Sequence, residues 1–172
     1  MNSCCSKTAA LLTALLAAAG CSDPGQTDHE TTPLCQTETV PIARIQGDGF
    51  RSPLVGTPST ARGIVTRRAG HGFYLESAEP APTGASRALF VAADDLSLRV
   101  EPGQEWALRG RVAELGSQRD TLTALQAVTD SDLCASGHQL PLTSAALPLG
   151  AGARESLEGC LLYTSPSPRD CK

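Results

Sequence analysis

The chain has 172 residues, of which 41% are hydrophobic, 19% charged and only 3% aromatic, with a formal net charge of −4. That length suits one small domain with appendages. The acidic balance excludes long-range attraction to phosphate, and the scarcity of aromatic rings leaves few platforms on which bases could stack.

Met1 to Gly20 reads as a targeting segment. Lys7 supplies a positive start, Ala9 to Ala19 (AALLTALLAAA) an apolar run, and small residues lead up to Cys21. The run is too short to cross a bilayer as a mature helix. Its ending, Leu16 to Cys21 (LAAAGC), resembles a bacterial lipobox, with Ala18 where lipoproteins more often carry Leu. The resemblance implies cleavage before Cys21 and lipidation of its sulfur. The membrane is then a partner through acyl chains, each buried methylene contributing about 0.8 kcal/mol. Ser22 stands where inner-membrane retention would show Asp, which implies export to the bacterial cell envelope, at the outer membrane or cell surface. Plain secretion with a free Cys21 is the alternative. Residues 21–34 contain SDPGQTDHETTP, with no large apolar side chain, and are expected to form a disordered, flexible tether in which His29 is solvated.

The next stretch is punctuated by Gly, Pro, Ser and Asp and carries strand signals rather than helical ones. Strands are expected at Thr60–Arg68, Gly72–Glu76, Arg87–Ala92, Glu105–Leu115 and Thr121–Val128. The fourth alternates most clearly, with Trp106, Leu108, Gly110 and Val112 on one face and Glu105, Arg109 and Arg111 on the other, as a half-wet antiparallel strand requires. Gly116 to Asp120 reads as a hairpin link to the fifth strand. Leu96 to Val100 reads equally as a helical turn or a loop. Five short strands with little helix predict an all-β fold, a small five-stranded barrel of the OB type. A sandwich is the alternative, although it normally needs about seven strands.

The chain closes on Cys160 to Asp170, CLLYTSPSPRD, which resembles the translation of a transposase-type sequencing adapter. On that reading residues 160–172 are read-through rather than natural protein and lie outside fold reasoning. A Ser/Pro-rich tail or linker is the alternative.

Seven cysteines reduce to one pair when Cys4 and Cys5 are assigned to the leader, Cys21 to lipid, and Cys160 and Cys171 to the tail. Cys35 and Cys134 remain, and an exported chain can keep them as a disulfide. Closing so long a loop contributes about 4 to 5 kcal/mol in the chain-entropy account. Their spacing matches no CxxC pattern and argues against zinc.

Several short segments then follow in a distinctive order: IARIQG at Ile42–Gly47, SPLVG at Ser52–Gly56, RGIVT at Arg62–Thr66, GFYLE at Gly72–Glu76, LRGRVAE at Leu108–Glu114 and RESLEG at Arg154–Gly159. Together, over residues 35–159, they resemble the OB-like module that precedes the catalytic domain of bacterial extracellular nucleases of the endonuclease/exonuclease/phosphatase superfamily. The chain departs from that pattern in lacking an acidic insertion after GFYLE. The resemblance implies that a metal-dependent catalytic domain follows in cis, that a divalent metal belongs to that domain, and that these residues form an accessory module presenting substrate. A lipid-anchored binding or structural module with no enzyme attached is the alternative, and a periplasmic small-molecule enzyme is the weakest.

Within these residues no catalytic constellation emerges, and neither metal ligands nor a cofactor site is expected. His71 and His138 read as exposed loop histidines. Gly47-Asp48-Gly49 and Gly70-His71-Gly72 read as turns, since neither opens a helix after a strand. If the barrel touches DNA or RNA, the candidates are Arg62, Arg67, Arg68, Tyr74, Arg109 and Arg111. Binding is expected to be weak, because residues 36–136 carry ten Arg against twelve Asp plus Glu, a net charge of −2.

Overall fold

A computed structural model describes residues 33–163, save 83, 118–119, 140–141 and 146–147. The leader, most of the tether with the proposed lipid site Cys21, and residues 164–172 lie outside the described residues. The folded body opens with a 3-10 turn, Leu34–Gln36, whose Leu34 is buried. Helix α1 follows at Ile42–Gln46, then strands β1 (Pro58–Ala69), β2 (Gly72–Glu76) and β3 (Ala88–Ala92). Helix α2 (Asp94–Ser97) precedes the long strands β4 (Glu105–Ser117) and β5 (Asp120–Ala135). A two-residue strand β6 (Thr143–Ser144), helix α3 (Ala151–Glu155) and strand β7 (Leu162–Tyr163) complete the chain.

The five principal strands close into a barrel in the order β1-β2-β3-β5-β4. All neighbours are antiparallel except β3 and β5, which run parallel. This is the expected OB-type barrel. All five strands lie where the alternation and punctuation place them, and β5 is the one most underestimated. Its polar run Thr129–Asp132 looks like a terminator, yet pairing with the first half of β4 carries the strand on to Ala135. Register shifts there, between Arg109 and Arg111, and opposite the shift Ala127 takes a left-handed backbone with φ 49°. Such a bulge bends a strand and lets it change direction around a small barrel.

Inward side chains make a single core. Val65, Phe73, Leu75, Leu89, Val91, Trp106, Leu108, Val112 and Leu125 meet inside, with Ile42 and Ile45 of α1 plugging one end. Each large side chain contributes roughly 1.5–3 kcal/mol on burial. On β4 the inward set is the one the alternation predicts, and Arg109 and Arg111 are exposed. Helix α1 is too short to show periodicity. It forms because Pro41 presets its entry, Arg44 and Ile45 donate back to the Pro41 carbonyl, and Ile42 and Ile45 share one buried face. Gly47 ends it at φ 75°, where an added Cβ would lie 2.7 Å from Pro53. Gly72 faces a different constraint, because a Cβ there would strike the Val91 backbone. Both glycines serve turns and close approach. Residues 94–100 resolve as the short helix α2 and a turn that buries Leu96 and Val100.

Cys35 and Cys134 are disulfide-bonded, with Cα atoms 5.4 Å apart and a sequence separation of 99. The bond ties the first turn to the end of β5, and Leu34 N–H donates to the Asp132 carboxylate alongside it at 2.6 Å. Cys35 and Cys134 should therefore take up a thiol reagent only after reduction. Replacing both by serine should cost about 4 to 5 kcal/mol of unfolding free energy, read from denaturant midpoints. Equal labelling of the two with and without reductant would show the bond absent in solution.

Candidate functional site

OB barrels take their ligands on the outer face of strands 2 and 3. Here Phe73, Leu75, Leu89 and Val91 turn inward, which leaves Tyr74 and Glu76 of β2 and Ala88 and Phe90 of β3 on the outside. The rings of Tyr74 and Phe90 lie 5.0 Å apart, and the Arg67 guanidinium sits 5.2 Å from the Tyr74 centroid. The arrangement has the elements of a stacking platform. Yet Glu76 and Ala88 are fully buried, because the chain's own C-terminal part lies over them.

That cover runs from α3 to Gly159 and on into Cys160–Leu162, the first residues of the stretch that resembles an adapter. Gly159 sits so close to the face that an added Cβ would lie 3.2 Å from the Tyr74 ring and 3.3 Å from Ala88. Ser86 Oγ donates to the Glu158 carbonyl at 2.7 Å. Leu161 N–H donates to Glu76 Oε2 at 3.1 Å, while Arg87 Nε donates to Glu76 Oε1 at 2.8 Å. Arg87 also reaches Thr143 Oγ1 at 2.8 Å. Glu158 Oε1 accepts from Thr123 N–H at 3.0 Å and from Gln46 Nε2 at 3.4 Å. Gln46, Glu76 and Glu158 come from the IARIQG, GFYLE and RESLEG segments, so three stretches distant in the chain meet in one polar network. Beside it, a cleft of about 300 Å³ remains between Thr66, Arg67 and Tyr74 on one side and Gly159 to Leu162 on the other.

The carboxylates here are held at unusual cost. Burial pushes the Glu76 carboxyl above the ordinary 4.5, against the Leu161 N–H and Arg87, which pull it down. Burial likewise raises Glu158, with Glu155 and Glu114 adding to the effect while Thr123 N–H and Gln46 oppose it. Glu155 is raised by burial and then by Glu114. Glu114 Oε1 accepts from Ser52 N–H and Thr123 Oγ1, whereas its Oε2 is buried without a partner.

The six candidate nucleic-acid residues do not form one patch with free charge. Arg62 makes a two-point bond to Glu105, at 3.0 and 2.9 Å, and its remaining Nη1 donates to the Cys35 carbonyl at 3.1 Å. Arg109 lies 3.7 Å from Asp130 and reaches Thr60 Oγ1. Arg111 donates to the Gly56 carbonyl. Arg67 and Arg68, beside the β1–β2 turn, are exposed, and Tyr74 is packed under Gly159. His71 and His138 are exposed, as expected, but each has a carboxylate neighbour that no local pattern reveals. His71 lies 3.0 Å from Asp94, and His138 lies 3.6 Å from Glu105. Among the described residues no group of three or more His, Cys, Asp or Glu side chains is placed to hold a metal ion.

Sequence reasoning missed Gln46, Ser86, Arg87, Glu114 and Glu158 as a set. The one signal was that Gln46, Glu114 and Glu158 sit in segments singled out for their order.

A pH dependence follows. An acid whose folded pKa is raised keeps its proton at higher pH in the fold than in the unfolded chain. Its contribution is therefore full below 4.5 and is lost as pH rises through the folded value. Glu155→Gln removes one such group and its repulsion of Glu114 and Glu158. The variant should unfold at higher denaturant concentration than the parent near neutral pH and converge with it below 4.5. A parent more stable than the variant at neutrality would mean that Glu155 is not under this strain.

No protein-family model and no curated protein matches the chain, and the reading of its function rests on this geometry together with the sequence.

Proposed function

We propose that the barrel is a non-catalytic accessory module of an exported, lipid-anchored nuclease-like protein, and that it seats and aims the polypeptide leaving it. The observation that carries this reading is the covered β2–β3 face. The surface on which an OB barrel would ordinarily hold a ligand is occupied by the chain's own RESLEG segment, fixed there by Ser86, Gln46 and the Thr123 amide. A segment held at several points leaves the barrel in one direction, and such fixed exits place one domain against another. The ordered segments of the family resemblance favour a downstream hydrolase over a module that works alone.

Direct contact with DNA or RNA has a minor part in this reading. Arg62, Arg109 and Arg111 already bond to Glu105, Asp130 and the Gly56 carbonyl, so neutralising phosphate would first require breaking those contacts. Of the six candidates, the exposed pair Arg67 and Arg68 is left as a point of attraction, enough for loose contact near the β1–β2 turn.

Two measurements test the proposal. The intact locus should continue past Gly159 into a domain bearing metal-binding carboxylates and histidines; a stop codon soon after Gly159 would instead favour a lipid-anchored module with no enzyme. The protein itself should leave DNA uncut with magnesium or calcium present. Its binding to a single-stranded oligonucleotide should be weak, fall steeply with salt, and drop further in Arg67→Ala/Arg68→Ala. Tight, salt-insensitive binding would overturn the seating role. Anchoring has its own check: Cys21→Ser should abolish incorporation of labelled fatty acid.

A further inference from the structure

Strands β3 and β5 pair over only two positions, Phe90 with Ala124 and Val91 with Leu125. Extending that parallel register back by two residues sets Ala88 opposite Leu122, and in a parallel ladder the Ala88 carbonyl would then accept from the Thr123 amide. Both groups do point into the seam, but they do not meet. The Ala88 carbonyl accepts instead from Gln46 Nε2 at 2.5 Å, and the Thr123 N–H donates to Glu158 Oε1 at 3.0 Å. Gln46 Nε2 and Glu158 Oε1 are themselves 3.4 Å apart. Two side chains, one from α1 and one from the turn after α3, thus stand in for a single missing backbone bond.

We infer that Gln46 and Glu158 form a side-chain rung that closes the β3–β5 seam, so that residues 151–159 act as a strap whose seating completes the barrel and whose release opens the seam and the Tyr74–Ala88 face together. The two events are coupled because one residue serves both. Glu158 uses its carboxylate on the seam and its carbonyl on Ser86, and the next residue, Gly159, lies on Tyr74 and Ala88. Lifting the strap strips Thr123 N–H of its acceptor, while Gln46 loses the group that orients its amide toward Ala88. A buried amide without a partner is costly, so the seam loosens when the strap leaves. This coupling holds whatever the barrel binds and whatever follows it in the chain.

Residue-resolved amide exchange on the full chain tests the inference. Glu158→Ala should speed exchange at Thr123 and along Ala88–Val91 by roughly tenfold or more, the scale expected for losing a charge-assisted hydrogen bond, while Phe73 and Leu108 in the core keep their protection. Glu158→Gln, whose side-chain oxygen still accepts, should stay close to the parent. Thr123 protection unchanged in Glu158→Ala would overturn the rung. Stability gives a second arm: Gln46→Ala and Glu158→Ala should destabilise less together than the sum of their separate effects, and strict additivity would refute the coupling. Should Glu158→Ala not fold, Gln46→Ala alone carries the test, since it too should raise exchange at Thr123 above the parent and refutes the inference if it does not.

Discussion

A five-stranded sheet becomes a barrel only if every neighbour pairs, and in this chain the ring depends on its weakest junction. The β4–β5 and β1–β4 ladders are long, whereas β3 meets β5 over two residue pairs. Parallel pairs are slightly less stable per residue than antiparallel ones, so the junction is disadvantaged in kind as well as in length. The packing reflects this. Helix α1 fills the end beneath the junction with Ile42 and Ile45, and a network of Gln46, Glu158, Ser86 and Glu76 borders it from outside. Each of these groups bonds to backbone left open where the strands part or to the segment that covers the parting. The polar residues around the seam read as consequences of where the ring is thin.

Much of this fold was legible in the sequence, because strands announce themselves locally. The alternation around Trp106 and Leu108 placed the inward face of β4, the short runs GFYLE and ALFVA marked the central strands, and the two cysteines left after removing both ends proved to be bonded. What stayed illegible depends on contacts between distant residues. Nothing near Thr129–Asp132 says that a polar stretch continues a strand; the reason is Arg109 across the ladder and Leu34 donating to Asp132. Helix α1 spans little more than one turn, too short for a period to emerge. Glu158 resembles any solvated glutamate until Thr123 and Gln46 are brought to it. The barrel was visible, but the network that covers its β2–β3 face was not.

Charge tells a similar story in electrostatic terms. The alternation of β4 places Arg109 and Arg111 on its wet face, but a position in the sequence does not say how many positive groups remain unsatisfied. Glu105 holds Arg62 in a two-point bond and also lies near His138, while Asp130 faces Arg109. These pairs are mostly exposed and individually weak. Their effect is nonetheless to flatten the potential where a basic groove would have to be. The carboxylates near the strap go the other way, with Glu114, Glu155 and Glu158 gathered on one side.

The bridge between Cys35 and Cys134 has a mechanical meaning. Tension applied between the two ends of the chain would pass at residue 35 directly across the sulfur atoms to residue 134, leaving the intervening barrel slack inside a covalent ring. The next held elements along the line of force are the short β6 strand and the strap, fastened by a few hydrogen bonds. Under load those would part first, like a seam sewn to give way before the cloth, and the β3–β5 junction would loosen while the covalent ring keeps the strands from being drawn out. A barrel wired in this manner would transmit a pull through its periphery.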